Sequence, residues 1–515
     1  MKRLQEILIA GGGTAGWLTA AYLAKVYGNG AGCPRITLVE SPDIGTIGVG
    51  EGTFPTLRIT LQTLGIDESE FMREADATFK QGVKFIDWLH TPKDGQHSYY
   101  LHPFDAPYPT EGAGLMPYWL LQDPKTRLPY AEAVAFQCAA AHKHRAPKTL
   151  ADGSYGHRLN YAYHFDAARF AALLTRRAKD LGVRHLQGRI EDVRLHSDGA
   201  IASVTTAEHG ELEADFFVDC TGFRARLIGD ALKAPFVSVG RHLLTDRAVA
   251  LQAPYATPDA PIPSFTLSTA HEAGWTWDIG LGNRRGIGYV YSSQHSSDER
   301  AVEVLKNYIG AAARDLEPRV IRFKAGYRTT PWVKNCVAIG LSGSFFEPLE
   351  ATGILLIEVA ISYLVDFLPR SGPIDAAARQ FNALMDARCQ SVLNFLKLHY
   401  CLSQREEPFW RDNADPASLP DHLAELLEMW KHRPPSRFDI NSEIDPFPLG
   451  SYQYILYGLG YPTDIEAQRP SFPQVEAAER AFERVKNFGA YAARDLPDNR
   501  ALIERLRAHG FASAS

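Results

Sequence analysis

The sequence predicts an α/β protein in which a parallel nucleotide-binding sheet is assembled from distant segments and followed by a mainly helical C-terminal region. Three observations carry this. Apolar Ile7 to Ala10 runs into Gly11-Gly-Gly13-Thr14-Ala15-Gly16 and then Trp17-Leu-Thr-Ala-Ala-Tyr-Leu, so a glycine-rich loop stands between a buried strand and a helix. A second strand-like run, Ile36 to Val39, ends in Glu40, an acid where such folds hydrogen-bond a ribose. Two later apolar runs, Glu213 to Val218 and Asn335 to Gly340, also close on small and polar residues.

Taken in order, Gly11 permits a tight turn, Gly13 lets backbone approach a pyrophosphate, and Gly16 lets helix and strand pack closely. The helix that follows offers unpaired N–H groups and partial positive charge to phosphate. Tyr161 to Ala178 reads as a helix with Phe165, Phe170, Leu173 and Leu174 on one face. Arg184 to Gln187, Ile201 to Thr205 and Glu213 to Val218 read as strands, the last running into Asp219-Cys-Thr-Gly222-Phe223. Gly353 to Leu368 reads as a helix after the Asn335 strand. Segments near residues 90–155 and 230–325 are richer in aromatics and prolines and suit a substrate side. From Ile374 onward the pattern is helical, over Ala376 to Leu398, Leu419 to Trp430 and Gln474 to Val485, with loops at Pro434-Pro435 and Pro446-Phe-Pro448. The expected division is residues 1–370 as a cofactor and catalytic domain with inserted segments, then 371–515 as a helical cap.

At 515 residues, 45% hydrophobic and 22% charged, the chain has ordinary globular composition and length for more than one core. A net charge of −6 supplies no broad basic field for nucleic acid or an anionic membrane, which leaves small molecules as the expected partners. Six cysteines are scattered without a CxxC pair, and His142-Lys-His144 lacks further ligands, so no metal site is expected. Lys2-Arg3 precedes an apolar run that breaks at Gly11, and no stretch approaches the roughly 18 apolar residues of a membrane helix. The expectation is a soluble, cytoplasmic protein.

Four motifs narrow the reading: Gly48-Val-Gly50-Glu51-Gly-Thr-Phe-Pro55, Phe79-Lys80-Gln-Gly82-Val-Lys84-Phe85, Gly274-Trp275-Thr-Trp277-Asp-Ile279 and Glu347-Pro-Leu-Glu350-Ala-Thr352-Gly353. Together they resemble the flavin-dependent tryptophan halogenase family. The resemblance implies a discontinuous FAD-binding Rossmann-like domain of flavoprotein monooxygenase type, with the helical C-terminal region as a substrate cap. It implies FAD supplied reduced by a separate NAD(P)H-dependent flavin reductase, since a second NAD-binding module is not evident, with bromide or chloride as co-substrate. Hypohalous acid would then travel through an internal tunnel to an active-site lysine beside a small aromatic substrate. The family is also compatible with a homodimer.

Carried over residue by residue, the resemblance implies Lys80 and Glu350 as catalytic, with Glu347 the less favoured acid. It implies Gly11, Gly13, Thr14, Ala15, Gly16, Glu40, Gly50, Glu51, Gly340 and Ile354 at the cofactor. Thr352 and Gly353 would offer amides to halide, while His102, Phe104, Trp275 and Trp277 would line substrate or tunnel. The chemistry is coherent, because halide is itself nucleophilic and must be oxidised before it attacks an arene. Lys80 could act as an ammonium that activates hypohalous acid or as a neutral amine that forms a haloamine, and both forms stay open. Glu350 would accept the ring proton.

Two positions depart from the family pattern. Ala351 stands where serine is common, and Gly280 stands where proline is usual, which is expected to loosen the backbone and change the tunnel wall. Tyr452, Tyr454 and Tyr457 form an aromatic patch but no convincing clamp for the ammonium and carboxylate of free tryptophan. This favours indole, another indolic or phenolic electron-rich arene, or a larger ligand over tryptophan itself. The alternative is a flavin-dependent aromatic hydroxylase.

Overall fold

In the computed structural model, residues 3–42, 50–110 and 114–511 are described; Gly48 and Val49 of the Gly48–Pro55 motif lie outside them. The chain folds as two units, each gathered from three segments: residues 1–76, 165–239 and 324–390, and residues 77–164, 240–323 and 391–515. The units part at 390/391, within helix Asp375–Cys401. The aromatic-rich segments group with the C-terminal helices.

The first unit is built on a six-stranded sheet in the order Trp332–Val333, Cys336–Ala338, Phe216–Asp219, Glu6–Ala10, Arg35–Glu40, Arg184–Gln187. Its pairings are parallel except for the Trp332–Val333 edge. Ile9 sits between Val218 and Leu38, and these strands are near-continuous apolar runs because both faces are covered. Helix Thr14–Tyr27 packs on helices Ala167–Asp180 and Thr352–Phe367. On the core, Leu8, Val39, Phe217, Leu227, Ile228 and Cys336 meet. Asp219, fully buried at the end of its strand, accepts hydrogen bonds from the amides of Thr221, Leu227 and Ile228 at 2.8 to 2.9 Å, which fixes the turn that follows.

The stretch expected as one helix from Tyr161 divides. Ala162–Phe165 is a strand and Ala167–Asp180 a helix. The Asp166 side chain accepts from the Arg169 amide and caps the helix, and Tyr161, Tyr163 and Phe165, all fully buried, suit an extended backbone better than a helical turn.

The second unit holds a seven-stranded sheet in the order Arg319–Arg322, Arg247–Ala253, Arg285–Tyr291, Gly274–Gly280, Thr266–His271, Gly82–Ile86, Tyr99–Pro103. All pairs are antiparallel except Thr266–His271 with Gly82–Ile86. Val249, Leu251, Ile287 and Tyr289 bury one face against helix Asp298–Ile309. Helices Asp421–Trp430, Leu449–Gly458, Val475–Asp495 and Asn499–His509 complete the unit. No helix among the described residues is long and apolar enough to cross a membrane.

Candidate active site

In the first unit the glycine loop is held in place by contacts that only glycine permits. Gly11 has φ +106°, and a Cβ there would lie 2.3 Å from the Cys220 carbonyl oxygen. A Cβ at Gly16 would meet the Gly11 carbonyl oxygen at 1.8 Å, the close helix–strand approach that the motif requires. Gly12, outside the motif, is needed for a different reason: its Cβ would strike the Glu40 carboxylate at 1.5 Å. Gly13 differs, since nothing lies within 4 Å of its added Cβ. The open face of the loop is therefore at Gly13, where the amides of Thr14, Ala15 and Gly16 begin the helix.

Glu40 stands at the strand end with an oxygen 2.8 Å from His185 Nε2. Gly340 (φ +78°) turns the chain so tightly that a Cβ would meet the Ala15 methyl at 2.7 Å. Gly11 to Gly16, Glu40 and Gly340 thus gather at one end of the parallel sheet, and the cradle they form fits a dinucleotide such as FAD. Ile354 is buried on helix Thr352–Phe367. The Glu51 carboxyl is pushed up to about 7, first by burial and then by the Asp166 charge.

The halide and acid candidates lie in the same unit. Glu347 precedes and Glu350 ends the 3-10 turn Pro348–Glu350, and both are buried. Ala351 (φ +55°) is left-handed and starts helix Thr352–Phe367, which has no acid in its first turn and no side-chain cap. Thr352 is buried, whereas Gly353 has nothing within 4 Å of an added Cβ. Such a helix start presents amides and partial positive charge to an anion.

In the second unit Lys80 ends strand Thr78–Lys80 and is 1% exposed, its Nζ 5.3 Å from the centre of the Phe104 ring. Lys84, by contrast, is half-buried with its ammonium over Tyr99. His102 is buried, its Nε2 2.8 Å from Ser451 Oγ, and its ring lies near Phe395 and Tyr454. Trp275 and Trp277 share one face of their strand with ring centres 6.5 Å apart. Trp275 is locked: its indole N–H donates to the Tyr400 hydroxyl at 2.7 Å, and Trp88 packs beside it. Trp277 lies flat across Gly288, where a Cβ would come within 2.0 Å of its ring.

A tryptophan halogenase family model matches residues 6–472. The chain belongs to the flavin-dependent tryptophan halogenase family. It is similar to a tryptophan halogenase structure from Shewanella frigidimarina, with a TM-score of 0.94, 41% identity and 99% of each chain covered. The flavin-dependent tryptophan C-6 chlorinase of taromycin biosynthesis superposes with a TM-score of 0.91 at 37% identity, covering 98% of this chain and 100% of that one. The 7-chloro-L-tryptophan 6-halogenase of Kutzneria sp. is 38% identical over 97% of this chain and 99% of its own.

In this halogenase strand Gly274–Gly280 keeps its pairing despite Gly280. That residue remains in the sheet, paired with Arg285, and its carbonyl accepts from Thr78 Oγ1 at 2.6 Å. A Cβ would lie 2.8 Å from the Tyr255 hydroxyl, which itself donates to the Leu281 carbonyl. The expected loosening is therefore corrected: Tyr255 packs into the space beside Gly280. The tyrosine patch is also committed internally. Tyr452 donates to Asp445, Tyr454 to the Asp105 carbonyl, and the Tyr457 hydroxyl lies 3.3 Å from Thr463 Oγ1.

His164 escaped the sequence reading, because Tyr161 to Ala178 read as helix and hid its alternation. On the observed strand it pairs directly with Thr78 and so shares a face with Lys80, two residues along.

Proposed function

We propose that this halogenase carries out FAD-dependent halogenation of an indole ring, with Lys80 as the group that activates the oxidised halogen. The observation that carries the reading is the lysine of the Phe79-Lys80-Gln-Gly82-Val-Lys84-Phe85 motif, buried with its ammonium against the Phe104 ring, since lysine is rarely fully buried unless paired. Reduced FAD, when bound, supplies with oxygen the oxidising equivalents that turn bromide or chloride into an electrophile.

The protein's own groups divide the remaining work. Gly13 and the helix-start amides hold the pyrophosphate, Glu40 the ribose, and Gly50, Glu51, Gly340 and Ile354 the rest of the cofactor. Thr352 and Gly353 hold halide through their amides. Lys80 binds hypohalous acid and points its halogen at the ring, while Glu350 takes the proton that the ring loses. His102 and Phe104 bound the arene, and Trp275 and Trp277 wall the tunnel. The spent hydroxyls of the tyrosine patch support an indole without an amino-acid head group as substrate, although relatives are named for tryptophan. A separate flavin reductase supplies the reduced cofactor.

The test is incubation with FAD, a flavin reductase, NADH, bromide or chloride, and indole, followed by mass spectrometry. A halogen isotope pattern supports the reading. A mass gain of one oxygen without halogen would replace it with the hydroxylase alternative.

A further inference from the structure

The two oxygens of the Glu40 carboxylate have different neighbours. Oε1 lies 2.8 Å from His185 Nε2. Oε2 lies over the glycine loop, 1.5 Å from where a Cβ on Gly12 would stand, one residue before the open face at Gly13, and it meets no donor among the described residues. The carboxylate is thus folded back along the loop, its side chain 24% exposed. A glutamate side chain is rich in rotamers and keeps one arrangement only where a neighbour fixes it.

His185 is placed to be that neighbour. Strands Arg35–Glu40 and Arg184–Gln187 run parallel with Leu38 opposite His185, which puts Glu40, two residues along, on the same face of the sheet as the imidazole. The ring also meets Trp17 edge-on, with 4.9 Å between centres, and Trp17 belongs to the helix that starts at the loop. The imidazole side chain is 12% exposed. Its Nε2 is buried and makes no aligned hydrogen bond among the described residues, so its polar contact is the one with Glu40. A ring held between a helix and a strand has little freedom of its own, which suits it to hold a longer side chain still.

We propose that His185 is a positioning residue for the flavin: it holds Oε1 of Glu40 and leaves Oε2 over the glycine loop to accept from the 2′-hydroxyl of the adenosine ribose. The inference rests on the reading of Glu40 as the ribose acceptor and adds the residue that keeps it in place. A carboxylate accepts more strongly than a neutral oxygen, and an acceptor already in position loses less freedom when the ligand arrives. Without the imidazole the carboxylate is free to turn to solvent, and binding must order it again.

The test is a cycle between protein and ligand, read by titrating flavin into flavin-free protein. FAD and a FAD analogue lacking the 2′-hydroxyl of its adenosine ribose are compared on the parent, His185→Phe and His185→Gln, with a thermal melt of each. His185→Phe keeps a ring against Trp17 and removes the N–H. It should weaken FAD by about fivefold and leave the analogue nearly unchanged, so that the parent's preference for FAD largely disappears. His185→Gln, which restores an N–H donor, should recover most of that preference. Equal weakening of both ligands would show that the ring only supports the fold. Unchanged FAD affinity in His185→Phe, or no recovery in His185→Gln, would likewise overturn the proposal. Glu40→Ala reports on the underlying reading separately: if it kept the parent's preference for FAD over the analogue, Glu40 would not be the ribose acceptor.

Discussion

At the scale of single residues, the loop glycines divide by what surrounds them. Gly11, Gly12 and Gly16 are enclosed by the protein, while Gly13 faces open space. Valine at Gly13 should therefore leave the fold intact and obstruct the pyrophosphate alone, weakening flavin binding by about tenfold or more, some 1.4 kcal/mol. Flavin titration beside a thermal melt checks this; unchanged affinity in a folded variant would remove Gly13 from the cofactor contact. Gly280 makes the opposite case. Restoring proline there should be destabilising, because the Tyr255 hydroxyl already stands 2.8 Å from an added Cβ, and Tyr255→Ala should relieve part of the loss. Equal melting temperatures for Gly280→Pro and the parent would contradict that packing.

The elements show which parts of the fold were legible. The glycine loop, the strand ending at Glu40 and the strand from Asn335 were readable because a buried parallel strand is an unbroken apolar run closed by small residues. Ala162–Phe165 was not, since its aromatics also match a helical face when joined to Phe170, Leu173 and Leu174. The clue was Asp166, a capping residue that marks where the helix starts. Asp166→Ala should cost about 1 kcal/mol of stability, measurable by urea denaturation, and no loss would show the cap to be idle. Of the active-site candidates, Lys80, Glu350 and the tryptophans were found through motifs, whereas His164 depended on a cross-strand register that no local pattern encodes.

For the molecule as a whole, two carboxyls make stability depend on pH. Burial pushes Glu51 up to about 7, with Asp166 adding to it, and pushes Glu358 up to about 7 against hydrogen bonds from Thr60 and Thr56. Both ordinarily titrate near 4.5, so between about 4.5 and about 7 the flavin-free native state holds protons that the unfolded chain has lost. Stability from these groups is complete below the lower value and declines as pH rises through that window. Glu358→Gln should flatten the decline in a denaturation series, and an unchanged slope would mean that Glu358 is ionised throughout.

The proposed role of Lys80 is to handle the halogen without taking part in flavin chemistry. Flavin reoxidation and halogenated indole should be measured together in folded Lys80→Ala, with a hypohalite scavenger present to suppress reaction in bulk solution. Reoxidation at close to the parent rate with product lowered by about a hundredfold or more is the predicted result. Near-normal halogenation by that variant would contradict it.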